Sequence, residues 1–194
     1  ITFQQTGLPF WCWVFPCGRS EATGEILQSA GFSFIDSIPC MLADLSLPEA
    51  EEDDRSLQIV QVQNEETLRV WEKVSFAGFD FPPETQHQYH RFVGTFNLKA
   101  DSPQKFFLAY FNGQPVATSL LFLHETAAGI YFISTLAEIR RKGIGLAITR
   151  STMRVARQAG AQYATLQSSP DGLHVYRQAG FQEYCRVDVY GLSD

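Results

Sequence analysis

Apolar residues recur along this chain with two periods, and the points where one gives way to the other divide it into elements. Phe10, Trp11, Cys12, Trp13, Val14 and Phe15 form a β-prone run closed by Pro16, and Ala22, Ile26, Leu27 and Ala30 then fall at helical spacing before Gly31. A glycine there suits the left-handed residue that ends a helix. Alternation over 32–38 predicts a strand, interrupted by Pro39 and resumed over 40–45. The acidic, proline-bearing stretch 47–55 reads as a linker.

Beyond it, 56–62 alternates as a strand, 65–76 places Leu68, Val70, Trp71 and Val74 on one helical face, and a weaker helical pattern spans 84–93. The apolar runs 106–111 and 115–123 flank Asn112-Gly113, a pairing that suits a type I′ hairpin. A strand over 130–136 leads through a short basic turn into an amphipathic helix that Gly160 closes, and a short strand over 163–166 follows. A helix over 170–179 stopped by Gly180 and a strand over 181–190 complete the chain. From residue 56 onward the order is β-α-α-β-β-β-α-β-α-β.

Chemistry concentrates at the junction after 130–136. Gly143 and Gly145 let the backbone approach a ligand, and the first N–H groups of the helix have no intrahelical partner. Those donors and the positive end of the helix dipole suit a pyrophosphate, with Arg140, Arg141 and Lys142 adding charge. The competing glycine motifs fail. A P-loop needs Lys and Ser/Thr after its last glycine, where Leu146 and Ala147 stand, and a dinucleotide fingerprint needs Gly or Ala where Ile148 stands.

Charge sharpens this picture. A net charge of -6 over 194 residues argues against a partner bound by broad phosphate neutralisation, so a compact anion is expected rather than a nucleic acid. The four cysteines, Cys12, Cys17, Cys40 and Cys185, show no CxxC spacing and are read as reduced, mostly buried thiols of a cytoplasmic protein. No apolar run approaches the ~18 residues of a membrane span, and no metal is expected. The chain begins at Ile1 without an initiator Met, so an upstream segment is expected.

Two motifs carry a resemblance. Arg140-Arg-Lys-Gly143-Ile-Gly145 meets the pattern Arg/Gln-x-x-Gly-x-Gly/Ala, and Val175-Tyr176-Arg177-Gln-Ala-Gly180-Phe181 matches a Tyr placed before a Gly-Phe helix end. Together they resemble the GNAT superfamily of acyl-CoA-dependent N-acyltransferases over roughly 57–190. The resemblance implies an α/β (α+β) fold, with a mixed, mostly antiparallel sheet flanked by helices, and acetyl transfer from acetyl-CoA to an amine acceptor. It implies Tyr176 as proton donor to the coenzyme A thiolate. Thr135 and Leu136, with Ser168, would lie along the cofactor arm, and Arg140, Arg141, Lys142, Gly143, Ile144, Gly145, Leu146 and Ala147 around the pyrophosphate. Where many members carry Asn after the strand that corresponds to 163–166, this chain has Gln167-Ser168-Ser169.

No general base is singled out among Glu125, Glu138, His124, Asp171 and His174, since ordered water can serve. His87 and His90 with Phe79, Phe81, Tyr89 and Phe92 are candidates for an acceptor wall. A catalytically silent acyl-CoA-binding module is the alternative function, and the protein is expected to be a monomer or homodimer.

The N-terminal third carries a faint copy of the C-terminal motif. Residues 26–32, Ile-Leu-Gln-Ser-Ala-Gly-Phe, align with 175–181, Val-Tyr-Arg-Gln-Ala-Gly-Phe, and Leu27 stands where Tyr176 does. We read 1–46 as a partial, degenerate lobe of the same kind, 47–55 as linker and 56–194 as the acetyltransferase domain. The alternative is two unrelated strand–helix–strand units that share a helix stop.

Overall fold

The computed structural model describes residues 10–47 and 57–192. Apart from Leu47, the acidic linker therefore lies outside the described residues. The elements follow in the order β1 (Trp11–Val14), α1 (Thr23–Ser29), β2 (Phe32–Asp44), β3 (Leu57–Gln61), α2 (Glu65–Gly78), α3 (Gln86–Val93), β4 (Gln104–Phe111), β5 (Gln114–His124), β6 (Ala127–Thr135), α4 (Ile144–Gln158), β7 (Tyr163–Gln167), α5 (Leu173–Gln178) and β8 (Gln182–Leu192). The order expected from residue 56 onward is the order observed.

Local chemistry accounts for the boundaries. Asn64 caps α2 by accepting from the Thr67 N–H at 2.9 Å. Asn112 and Gly113 both take positive φ, 50° and 77°, as a type I′ turn requires. Gly31, Gly160 and Gly180 take φ of 88°, 92° and 100° just past α1, α4 and α5, supplying the left-handed residue that stops each helix.

All eight strands form one sheet in the order β1-β8-β2-β7-β6-β5-β4-β3, antiparallel except for β6 against β7. Both faces are covered around β4, so its apolar residues do not alternate with polar ones. Phe107 and Ala109 join Ile144, Ile148 and Ala156 of α4 in one core. Phe106 and Leu108 join Trp71, Val74, Tyr89 and Val93 of α2 and α3 in the other. Trp71 is fully buried, and its Nε1 donates to the Ser119 carbonyl at 3.1 Å. Its truncation to alanine would cost about 3–5 kcal/mol.

The segments divided in the sequence as lobe and domain contribute to one common sheet. β2 is inserted between β7 and β8, pairing with both, while β1 adds to the outer side of β8. Aligning Gly31 with Gly180 places Ile38 on Val187, and those two residues face each other in the β2–β8 ladder. The four-strand half β1-β8-β2-β7 is thus arranged about a local two-fold at that pair, relating β1-α1-β2 to β7-α5-β8.

Two expectations need correction. Pro39 does not break β2. A strand residue aims its N–H and C=O the same way, and the Pro39 carbonyl accepts from the Ser168 N–H at 2.9 Å, just past the last β2–β7 rung at Cys40 and Gln167. The absent N–H therefore falls where the ladder with β7 has already ended. The cysteines are not mostly buried: Cys17 is exposed in a surface turn, and Cys12, Cys40 and Cys185 are half-buried on strands.

Candidate active site

A cleft of about 710 Å³ opens where β6 and β7 part. Their parallel rungs stop at Gly129 and Thr165, and β6 continues beyond them to Thr135. Within that free stretch β6 carries an extra residue: Thr118 pairs with Ser134 and Leu120 with Tyr131, so two residues of β6 oppose Ser119 alone. The bulge holds Phe132 at φ 49°, and the Thr118 hydroxyl donates to the Phe132 carbonyl at 2.9 Å. A bulge frees backbone groups from the ladder and re-aims its strand, here along one wall of the cleft. Ile133, Ser134 and Thr135 form that wall.

The opposite boundary is the start of α4. Gly143 occupies the N-cap position at φ 77°, and a Cβ there would meet nothing within 4 Å. The conformation, rather than crowding, calls for glycine. A Cβ on Gly145 would lie 3.7 Å from Thr135 Oγ1. Ala147 N–H donates to the Gly143 carbonyl at 3.0 Å and closes the first helical turn, so the N–H groups left without an intrahelical acceptor precede it. Ala147 is thereby removed from the expected donor set.

The basic turn divides its labour. Arg140 lines the cleft, but its guanidinium is engaged: Nε donates to the Thr135 carbonyl at 3.0 Å and Nη2 to the Gly78 carbonyl at 2.8 Å. It ties the end of β6 to the end of α2. Arg141 lines the cleft at φ 64°. Lys142 points elsewhere, with Nζ 5.3 Å from the centroid of the Phe111 ring.

Tyr176 closes the cleft from α5. It is 8% exposed, packs edge-on against Phe181 at 6.2 Å between centroids, and lines the same cleft as Gly143 to Leu146. Burial pushes its phenol up to about 12, so it stays protonated throughout the neutral range. Gly172 permits this placement, since a Cβ there would lie 2.6 Å from the Tyr176 ring.

The cleft thus brings together Thr135, Arg140, Arg141, Gly143, Ile144, Gly145, Leu146 and Tyr176 of the expected residues. Leu136, Lys142, Ala147 and Ser168 are not among its lining. Leu136 N–H is bonded to Val116, and Ser168 is buried with its hydroxyl donating to the Ser169 carbonyl at 2.8 Å. Ser169 takes its place on the wall, beside Asp171 and His174. Sequence reasoning missed Gly78, whose Cβ would lie 2.6 Å from Ser134 Oγ, because the close approach of α2 to β6 leaves no local pattern. Of the candidate acceptor wall, Phe79 lines the cleft and stacks on Phe81 at 5.4 Å, while His90 pairs with Glu72 at 3.0 Å. Among the described residues no group of His, Cys, Asp or Glu gathers for a metal, and no helix is long and apolar enough to cross a membrane.

Comparison with solved structures finds the same fold. A GCN5-related N-acetyltransferase from Sphaerobacter thermophilus matches with a TM-score of 0.74 at 18% identity, over 95% of this chain and 59% of that one. A GCN5-related N-acetyltransferase from Kribbella flavida matches with 0.70 at 18%, over 90% and 65%. The chain thus spans about three fifths of the length of these two structures. A structure from Clostridium acetobutylicum described as a predicted acetyltransferase with acetyl-CoA matches with a TM-score of 0.55 at 16% identity, over 66% of this chain and 91% of that one. No curated protein matches by sequence. The model of the Acetyltransferase (GNAT) family, however, matches residues 65–181, which takes in the bulged strand, the αL-capped helix and Tyr176, and the chain belongs to that family.

Proposed function

We propose that the chain transfers an acetyl group from acetyl-CoA to a primary amine, with the Tyr176 phenol donating a hydrogen bond to the sulfur as it leaves. One observation carries this reading: a buried, protonated phenol and an αL-opened helix start line the same cleft. The N–H groups at the start of α4, with Arg141 beside them, suit a diphosphate. The bulged end of β6 suits the amides of a pantetheine arm and the thioester oxygen.

In the reaction the amine nitrogen attacks the thioester carbon, the carbonyl oxygen takes negative charge, and the C–S bond then breaks as the amide forms. Donors aimed at the oxygen lower that barrier. The departing sulfur needs a proton or a strong hydrogen bond. A phenol near 12 is a weaker acid than a thiol, whose reference value is about 8.5, so Tyr176 serves foremost as a hydrogen-bond donor that never loses its proton to bulk water. The released amine proton passes to water or to a group at the mouth, where Asp171 and His174 stand. Arg140 acts indirectly, by fixing β6 against α2.

The test is Tyr176→Phe, assayed by thiol release over a panel of primary amines. We expect kcat to fall roughly 10²-fold while acetyl-CoA affinity is unchanged. Full activity of the variant would refute the role of the phenol. An absence of thiol release from the unsubstituted protein across the panel, with acetyl-CoA still bound, would favour a silent binding module. We further propose that 1–46 is a remnant of a second unit of the same kind, retained because β2 completes the sheet.

A further inference from the structure

We infer that Cys40 and Cys185 are a thiol pair placed to close into a cross-strand disulfide, a reversible modification site that fastens β2 to β8. The two residues face each other directly in the antiparallel ladder. Such pairs hold their Cα atoms about 4.5–5.5 Å apart, inside the roughly 4.4–6.8 Å that a disulfide spans, so closure asks for no backbone rearrangement. The next rung pairs Met41 with Glu183, which leaves Tyr184 as an extra, exposed residue beside Cys185. A bulge at that point gives the pair local freedom to adjust its twist.

The pair shares its rung with one further polar side chain, because Gln167 faces Cys40 from the neighbouring strand β7. Burial pushes the Cys40 thiol up, with Cys185 adding to the shift. Both residues are half-buried rather than sealed, so a small oxidant reaches them. Cys12 and Cys17 lie on β1 and in the turn after it, outside this rung.

A hydroperoxide supplies the oxidation. One thiolate attacks the peroxide O–O bond and becomes a sulfenic acid as the first hydroxyl leaves. The second thiol then displaces the sulfenic oxygen as water, so two thiols and hydrogen peroxide yield one disulfide and two waters. A dithiol returns the pair to the reduced state by exchange. The closed loop would run from the strand inserted between β7 and β8 to the last strand, enclosing the whole cleft. Long loops are where a cross-link restricts the unfolded chain most. Its nearest consequence falls on the neighbouring strand, since the Pro39 carbonyl beside Cys40 holds the Ser168 N–H and Ser169 lines the cleft.

The test is to treat the fully reduced chain with hydrogen peroxide, quench free thiols by alkylation and map peptides without reduction. A Cys40–Cys185 cross-linked peptide, lost on dithiothreitol treatment, is expected, together with a melting temperature raised by ~5 °C or more. Cys40→Ser and Cys185→Ser, each assayed separately, should abolish both the cross-link and the thermal gain. Alkylated Cys40 and Cys185 after oxidation, a cross-link through Cys12 or Cys17 instead, or a thermal gain that survives Cys185→Ser would overturn the inference.

Discussion

Two units of this molecule share a plan and differ in chemistry. β1-α1-β2 and β7-α5-β8 each run strand, helix, glycine stop, strand, and they meet about Ile38 and Val187. Their helix stops take φ of 88° at Gly31 and 100° at Gly180. Yet α1 buries none of its residues, whereas α5 buries Tyr176 against Phe181. The difference lies in the neighbours. β7 is flanked by β6, which diverges from it, and α5 packs beside α4, whose first turn lines the gap, whereas β1 sits at the end of the sheet. The repeated unit supplies a scaffold, and the cleft arises only where a splayed parallel pair and a helix start stand beside it.

That contrast can be broken most severely at the helix start. Gly143→Val forces a β-branched residue to φ 77° and should lower coenzyme A affinity ~100-fold or more by calorimetry, whereas Gly31→Ala, at the helix stop of the N-terminal unit that matches Gly180, should cost stability and leave affinity unchanged. Equal losses of affinity in both variants would erase the distinction between the units. Next in size, Gly172→Ala would push a methyl group into the Tyr176 ring and should reduce kcat roughly tenfold with little change in acetyl-CoA affinity, measured by steady-state kinetics. Replacing Leu27, the counterpart of Tyr176, with alanine should leave kcat within about twofold.

A smaller effect lies in the pH dependence. Burial pushes both Tyr176 and Tyr89 up to about 12, Tyr89 despite its bond to Ser75, against a reference of 10.0 for each. A raised folded value means that the stability is fully present below pH 10 and is lost as pH rises from about 10 towards 12, because the unfolded chain ionises first. Urea midpoints should therefore fall across that window, and less steeply in the Tyr89→Phe/Tyr176→Phe double variant. An identical slope in both proteins would remove the two phenols from the account.

Much of this was legible in the sequence because it is local. Asn112-Gly113 announced its hairpin, Gly143 its helix start, and Gly180 with Tyr176 the late motif, since backbone conformation and side-chain period are written within a few residues. What escaped depends on distant segments meeting. Nothing near 32–44 says that β2 slots between β7 and β8, or that Pro39 would be harmless because a ladder ends beside it. Arg140, expected beside the pyrophosphate, also braces Thr135 and Gly78, a role that no local pattern announces. The need for glycine at 78 and 172 follows from single close approaches to Ser134 and Tyr176.

A thioester carrier is expected to lie between the start of α4 and the Tyr176 phenol. The most direct test of this placement is a crystal structure of the chain with acetyl-CoA. Diphosphate oxygens are expected within hydrogen-bond reach of the N–H groups between Gly143 and Leu146, and the sulfur beside the Tyr176 hydroxyl. A diphosphate bound away from that turn, or a sulfur remote from Tyr176, would contradict it.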